Sequence, residues 1–309
     1  MSALPSGPLP ALAVPGRTLV IEPGRPLVMG IVNANPDSFS DSVRLDTLER
    51  QTEHALALVA AGADIIDVGG ESGVTYTGVT AAEVEAARVV PLVERLTAEG
   101  LLVSVDTWKP LVASAVVDAG AAILNDVSGL ADPELADIAA ASGAALVLMH
   151  TRAMPKQEHF ADYGGAVVED VEAFLRERMA LAIGRGVAPE QLLLDPGPDF
   201  AKSPAESAEV LRALPRLHAL GRPVLLPVSR KYVIGAITGR PPGERLAGTL
   251  AALLHGVGAG AAIVRVHDVA AAVDALAVWR VLEGLDPVPD VDPEDDGLKW
   301  IRAGESPAG

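Results

Sequence analysis

Residues able to hydrogen-bond, carry charge or titrate stand at the ends of eight short apolar runs. Asn33 follows the first run, Glu71 the second, Asp106 the third, and Asn125 with Asp126 the fourth. His150 follows the fifth, Asp195 the sixth, Ser229, Arg230 and Lys231 the seventh, and Arg265, His267 and Asp268 end the eighth. Carboxylates such as Asp106 and Asp195, with the amide of Asn125, suit a flat heterocycle bearing several donors and acceptors, because a carboxylate accepts paired hydrogen bonds and an amide does both. Lys231, Arg265 and His267 are cations or donors suited to an anion such as phosphate. The order of residues contains no Ser–His–Asp arrangement and no metal-binding His pair. The chemistry they point to aligns two substrates and stabilises a leaving anion, with no protein nucleophile.

The runs are Leu27–Val32, Ala63–Val68, Leu101–Val105, Ala121–Leu124, Ala145–Met149, Leu192–Leu194, Val224–Val228 and Ala261–Val266. Helical spacing fills the gaps, as in Leu48, Ala55, Leu56 and Val59, or Val168, Val171, Leu175 and Met179. Parallel strands need long crossovers, and eight strand–helix units close naturally as an α/β fold of the (β/α)8 barrel type in a single domain, whose strand ends converge on one mouth. The competitor is a doubly wound open sheet. It lacks support here, because no Gly-x-Gly-x-x-Gly turn follows the first strand and the polar residues do not gather at one switch point. Simple structural roles remain the better reading for Asp126 and Asp268 as caps. Glu71 is read evenly as an organiser of its own loop or as a site residue.

Composition narrows the partners. A net charge of −17 over 309 residues repels nucleic acid, and no basic stripe offsets it, so a small molecule is the expected partner. With no cysteine in the chain, disulfides and thiolate chemistry are excluded and a cytoplasmic location is expected. Neither a leader-like start nor a membrane span is visible. Residues 1–26 read as a Pro/Gly-rich lead-in with a short hairpin around Leu19–Glu22, 27–285 as the barrel, and 286–309 as an acidic tail. Leu298, Trp300 and Ile301 are that tail's only docking group. Both ends are expected to be ordered only in part.

The strand-end segments MGIVNANPDSFSD, ADIIDVGGES, SVDTWK, AAILNDVSG, LVLMH, LLLDPGPDFAKS, VSRKYVIG, ERLAGT and IVRVHDV, taken together and in this order, resemble the dihydropteroate synthase family from about Leu27 to Leu285. The resemblance implies a TIM barrel forming a homodimer, which condenses 6-hydroxymethyl-7,8-dihydropterin pyrophosphate with p-aminobenzoate and releases pyrophosphate. It implies that Asp106, Asn125, Asp195 and Lys231 contact the pterin and that Met149 lines its pocket. By the same resemblance Arg265 and His267 hold the pyrophosphate, Asn33 helps bind Mg²⁺, and Phe200, Lys202 and Ser229 lie at the aminobenzoate site. Asp106, Lys231 and Arg265 would carry the catalysis. Two other readings stay open: a pterin-binding carrier or regulatory paralogue with little turnover, and, less closely, a pterin-dependent methyltransferase-like barrel.

Three loops depart from the family pattern. Glu71 and Ser72 are followed by Gly73, Val74, Thr75, Tyr76 and Thr77 where the family continues Thr-Arg-Pro-Gly, and Ser42-Val43 replace Gly-Gly. Arg44 and Arg152 are the candidate substitutes for the missing guanidinium. In the sixth loop Pro198 and Asp199 replace Ile-Gly, and the extra carboxylate is expected to disfavour an anionic second substrate.

Overall fold

The computed structural model describes residues 4, 5, 7–34, 47–71, 78–157 and 159–290. A hairpin of β1 (Leu12–Val14) and β2 (Arg17–Leu19) comes first. Eight parallel strands follow: β3 (Leu27–Asn33), β4 (Ile65–Gly69), β5 (Val103–Asp106), β6 (Ile123–Asp126), β7 (Ala145–Met149), β8 (Leu192–Asp195), β9 (Leu225–Leu226) and β10 (Ile263–Val266). The crossovers carry α1 (Leu48–Ala60), α2 (Ala82–Ala98), α3 (Pro110–Asp118), α4 (Glu134–Ser142), α5 (Val167–Gly184), α6 (Pro204–Arg212), α7 (Leu214–Leu217), α8 (Tyr232–Thr238) and α9 (Leu246–Gly258), and α10 (Val269–Leu282) ends the series. The sheet runs β8-β7-β6-β5-β4-β3-β10-β9, and a parallel bridge from Leu194 to Val224 joins its two edges. This is the expected (β/α)8 barrel.

All eight apolar runs become strands: β7 keeps its bounds, β3 and β8 run one residue further into the polar end, and the other five start later than their runs. Ala63, Leu102, Ala121 and Ala261 are buried in the turns that enter the strands, so hydrophobicity alone overstates strand length. The seventh run shrinks most, from Val224–Val228 to two residues. Pro223 and Pro227 flank it, and a proline has no N–H for the ladder.

Alternation along the strands divides the core in two. Residues such as Val28, Ile66, Val103, Leu124, Leu146 and Val264 face the helices, whereas Met29, Ile65, Ile123, Val147, Leu193 and Ile263 face the barrel interior. The hairpin lies earlier than Leu19–Glu22. Its Leu12 and Val14, with Leu9 and Ile21, are buried against the interior residues and close the barrel floor.

Candidate active site

One step further along the same strands, the inward positions turn polar. Asp67 lies two residues after Ile65, Asn125 two after Ile123, Asp195 two after Leu193, and Arg265 two after Ile263. Strand pairing sets Asn33 beside Gly69, Gly69 beside Asp106, Asp106 beside Asn125, and Met149 beside Asp195. Arg265 Nε donates to Asp67 Oδ2 at 2.6 Å and Nη2 to Asp106 Oδ2 at 3.0 Å. Asn125 Nδ2 donates to Asp67 Oδ2 at 3.2 Å. Fully buried, Asp67 is therefore the hub that holds both Arg265 and Asn125. Burial pushes Asp106 up to about 7, against the lowering influence of Arg265, and pushes Asp195 up to about 6, with the Gly197 N–H opposing it. These two carboxylates are primed to gain hydrogen-bond donors.

The β8 loop adds the next layer. Asp195 Oδ1 accepts from Gly197 N at 2.7 Å. At φ 61° Gly197 lies so near β7 that an added Cβ would fall 2.0 Å from the His150 carbonyl oxygen, so only glycine fits. Lys202 is completely buried, and its ammonium donates to the carbonyls of Gly197 at 2.8 Å, Phe200 at 3.1 Å and His150 at 3.3 Å. Three protons meet three acceptors, which pins the loop to the end of β7. Burial pushes Lys202 down to about 7. Beside it, Lys231 Nζ stands 4.3 Å from the centroid of the Phe200 ring, with its pKa lowered by burial against the attraction of Asp199 and Asp195. Ser229 Oγ and His267 Nδ1 are 2.8 Å apart, which joins the ends of β9 and β10. Met149, also inward on β7, is buried against Gly197.

Asp199, expected to disfavour an anionic second substrate, turns its carboxylate toward α8. Its carboxylate accepts from the backbone N–H groups of Tyr232 and Val233 at the start of α8, so the added negative charge serves a helix N-terminus. Arg152 is spoken for as well, since Nε and Nη2 reach Asp170 at 3.0 and 2.7 Å. Gly73, Val74, Thr75, Tyr76, Thr77, Ser42, Val43 and Arg44 lie outside the described residues.

Several functional-looking residues turn out to be braces. Asp126 accepts from Ser128 N, Ser128 Oγ and Leu130 N at 2.6–2.8 Å, and Asp268 pairs with Arg230, as their reading as structural residues anticipates. Glu71 accepts from Thr80 N at 2.7 Å and from Lys109 Nζ at 2.6 Å, and Lys109 also pairs with the buried Glu85. Its part as a loop organiser is the one visible here. His150 Nε2 lies 2.8 Å from Asp170, and burial pushes its ring down to about 3, so it stays neutral. Sequence reasoning missed Asp67, Lys109 and Glu85. For Asp67 a signal existed, a lone carboxylate inside an apolar strand at the inward parity.

Fold and mouth together define a (β/α)8 barrel whose strand ends gather buried carboxylates, an amide and a guanidinium into one polar layer. The family model for pterin binding enzymes matches residues 29–267. The chain is 42% identical over 245 residues to dihydropteroate synthase of Bacillus subtilis, covering 79% of this chain and 84% of that one. It is 43% identical over 263 residues to the Mycobacterium leprae enzyme of that name, covering 81% and 91%. Among solved structures, Xanthomonas albilineans dihydropteroate synthase with 4-aminobenzoic acid superposes with a TM-score of 0.81 at 45% identity, covering 91% of this chain and 100% of that one. Burkholderia cenocepacia dihydropteroate synthase complexed with 7,8-dihydropteroate gives 0.82 at 39%, covering 91% and 99%. The chain belongs to the dihydropteroate synthase family of pterin-binding enzymes.

Proposed function

We infer that this chain acts as a dihydropteroate synthase, a transferase that joins the methylene carbon of 6-hydroxymethyl-7,8-dihydropterin pyrophosphate to the amine nitrogen of p-aminobenzoate. The C–O bond to pyrophosphate breaks, the C–N bond forms, and the amine loses a proton. The observation that carries this reading is the polar layer of Asp67, Asp106, Asn125, Asp195 and Arg265 at the barrel mouth, in a chain so similar to enzymes of that name.

In this reading Asp106, Asn125 and Asp195 take the pterin's N–H groups, Lys231 contacts the ring, and Met149 forms a wall. Arg265 and His267 hold the pyrophosphate, and Asp67 orients the guanidinium beforehand, which lowers the cost of organising it in the transition state. Phe200 and Ser229 face the arylamine. Lys202 serves the same subsite by holding its loop, since its ammonium is committed to three carbonyls.

Mg²⁺ is the proposed cofactor, and the residues fit it. A Cβ at Gly69 would lie 3.8 Å from Asn33 Oδ1 and 3.9 Å from Asp106 Cβ, so the glycine brings the amide oxygen and the carboxylate side chain to the same point of the mouth. No cluster of three or more His, Asp or Glu suited to a metal exists among the described residues. A magnesium ion bound chiefly through a substrate's phosphates and water needs only one or two protein oxygens, and here Asn33 would supply one. When bound it would neutralise charge on the leaving pyrophosphate.

A homodimer fits the outer face of α9 and α10. Leu246, Val278 and Leu282 are exposed there at 38%, 61% and 79%, and α9 carries no charged residue. Among the described residues no helix is long and apolar enough to cross a membrane. A cytoplasmic setting fits a chain without cysteine. The test of function is pyrophosphate release from the pterin pyrophosphate with Mg²⁺, with and without p-aminobenzoate. Release that depends on the arylamine is expected. Tight pterin binding with no release under either condition would instead point to a carrier.

A further inference from the structure

Phe200, read above as an arylamine contact, and Lys231, read as a pterin contact, sit on different loops, yet the ammonium stands 4.3 Å from the ring centroid, where the two subsites would meet. We propose that Asp199 is the positioning residue that sets this spacing, by tying the β8 loop to the first turn of α8; the proposal rests on the synthase reading of the site.

The β8 loop is strained around Phe200. Asp199 at φ 69° and Ala201 at φ 54° both occupy the left-handed region without being glycine. Such conformations cost about 1 kcal/mol or more each and persist only where the surroundings over-determine them. The holding contacts are on hand. Asp199 N donates to Ser207 Oγ at 2.9 Å, and Ala201 O accepts from Tyr163 Oη and Ala161 N, both at 3.1 Å. Lys202 collects the carbonyls of Gly197 and Phe200. All of these fasten the loop to α6, to the β7 side of the barrel or to itself. Among them, the carboxylate of Asp199 alone crosses to the segment after β9, accepting from Tyr232 N and, at 3.1 Å, from Val233 N.

Those two amides follow Lys231 directly in the chain. Asp199 immediately precedes Phe200. One side chain therefore couples the neighbours of both residues, and the 4.3 Å separation of Lys231 Nζ from the Phe200 ring is the outcome. The far side of the joint is equally fixed. Arg230, itself at φ 56°, pairs with Asp268, and Arg245 Nη1 donates to the carbonyls of Arg230 at 2.9 Å and Lys231 at 3.2 Å. A carboxylate at position 199 thus replaces an otherwise loose approach of two rigid segments with a direct link, and does so at a helix N-terminus, where its charge is stabilised.

An ordinary helix cap would affect stability alone, so the experiment needs readouts that separate positioning from folding. Asp199→Gly removes the link while relieving the backbone strain, which keeps the fold accessible, and Asp199→Asn keeps an acceptor on a residue that tolerates this φ. For Asp199→Gly, hydrogen exchange of the segment 231–236 in the unliganded protein should accelerate roughly tenfold, and the KM for p-aminobenzoate should rise by roughly tenfold, the worth of about one charged hydrogen bond. Affinity for the pterin alone, which Lys231 shares with Asp106, Asn125 and Asp195, should fall by less than the arylamine KM rises, and Asp199→Asn should restore most of the loss in exchange protection and in KM. Unchanged exchange, or an unchanged arylamine KM in a wild-type protein that turns over, overturns the proposal. Absence of wild-type turnover is a separate failure, that of the synthase reading, and the tether is then decided by the exchange measurement alone.

Discussion

The floor and the mouth of this barrel are built from the same strands, one inward residue apart, and they follow opposite rules. At the floor, Ile65, Ile123, Leu193 and Ile263 meet the hairpin residues Leu12 and Val14 in a wholly apolar contact. Two residues on, Asp67, Asn125, Asp195 and Arg265 bury charge and amide groups that a water-filled unfolded state would solvate better. The floor stabilises the fold by excluding water from apolar surface. The mouth spends part of that stability on groups held ready for a ligand. Mutations in the two layers should therefore separate stability from binding.

The largest expected effect is at the floor. Ile65→Ala removes a fully buried side chain from the barrel interior and should lower stability by about 2–5 kcal/mol in chemical denaturation. Pterin affinity of the folded fraction should hold within about threefold, because Asp67 keeps its backbone position. A matching collapse of affinity would mean that the two layers are one cooperative unit.

Asp195→Asn at the mouth should do the reverse. Losing a carboxylate that accepts pterin N–H groups should weaken binding roughly 100-fold, about two charged hydrogen bonds at the lower end of their range. Its folded pKa, raised to about 6 by burial, implies a penalty of ionisation that is fully present above that pH and vanishes below the ordinary carboxylate value. The neutral variant escapes this penalty, so at pH 8 its melting temperature should equal or exceed that of the parent. A lower one would place Asp195 among the braces with Asp126.

The same two carboxylates predict a pH profile. Asp106 at about 7 and Asp195 at about 6 must both be ionised to accept pterin donors. Affinity for an unphosphorylated pterin should be constant above pH 8, fall about tenfold per pH unit between 7 and 6, and fall more steeply below 6. Calorimetric titration across this range checks it, and a flat profile would remove the carboxylates from the pterin contact.

Legibility in the sequence followed the same division. The barrel strands were readable because apolar runs of strand length recur with helical spacing between them, with errors at ends such as Pro227, where a missing N–H stops a strand that hydrophobicity continues, whereas the hairpin that closes the floor lies earlier than its expected place. At the mouth, residues that end a strand were readable by position, but Asp67 sits inside a run and Glu85 inside a helix. Their importance lies in partners far away in sequence, Arg265 and Lys109. Asp199 shows the limit most clearly. Its charge was visible and its consequence was not, because only the folded chain brings the amides of Tyr232 and Val233 to it.

The smallest expected effect tests whether the β8 loop is held from within or by the helix that follows it. Ser203 caps α6 in a reciprocal box: Ser203 Oγ accepts from Glu206 N at 3.3 Å, and Ser203 N donates to Glu206 Oε2 at 2.8 Å. Ser203→Ala removes one half of this exchange and should cost about 1 kcal/mol, or about 2 °C in melting temperature for a domain of this size. Ser203 directly follows Lys202, so a loop that depended on the start of α6 would shift as well. The three carbonyls gathered by Lys202 lie upstream of the cap, on the loop itself and just after β7, and the loop's contact with α6, from Asp199 N to Ser207 Oγ at 2.9 Å, lies beyond the capped residues. Turnover and the arylamine KM should therefore match the parent protein while the melting temperature falls. A raised KM with the small loss of stability would show that the helix start, and not the buried ammonium, holds Phe200 in place.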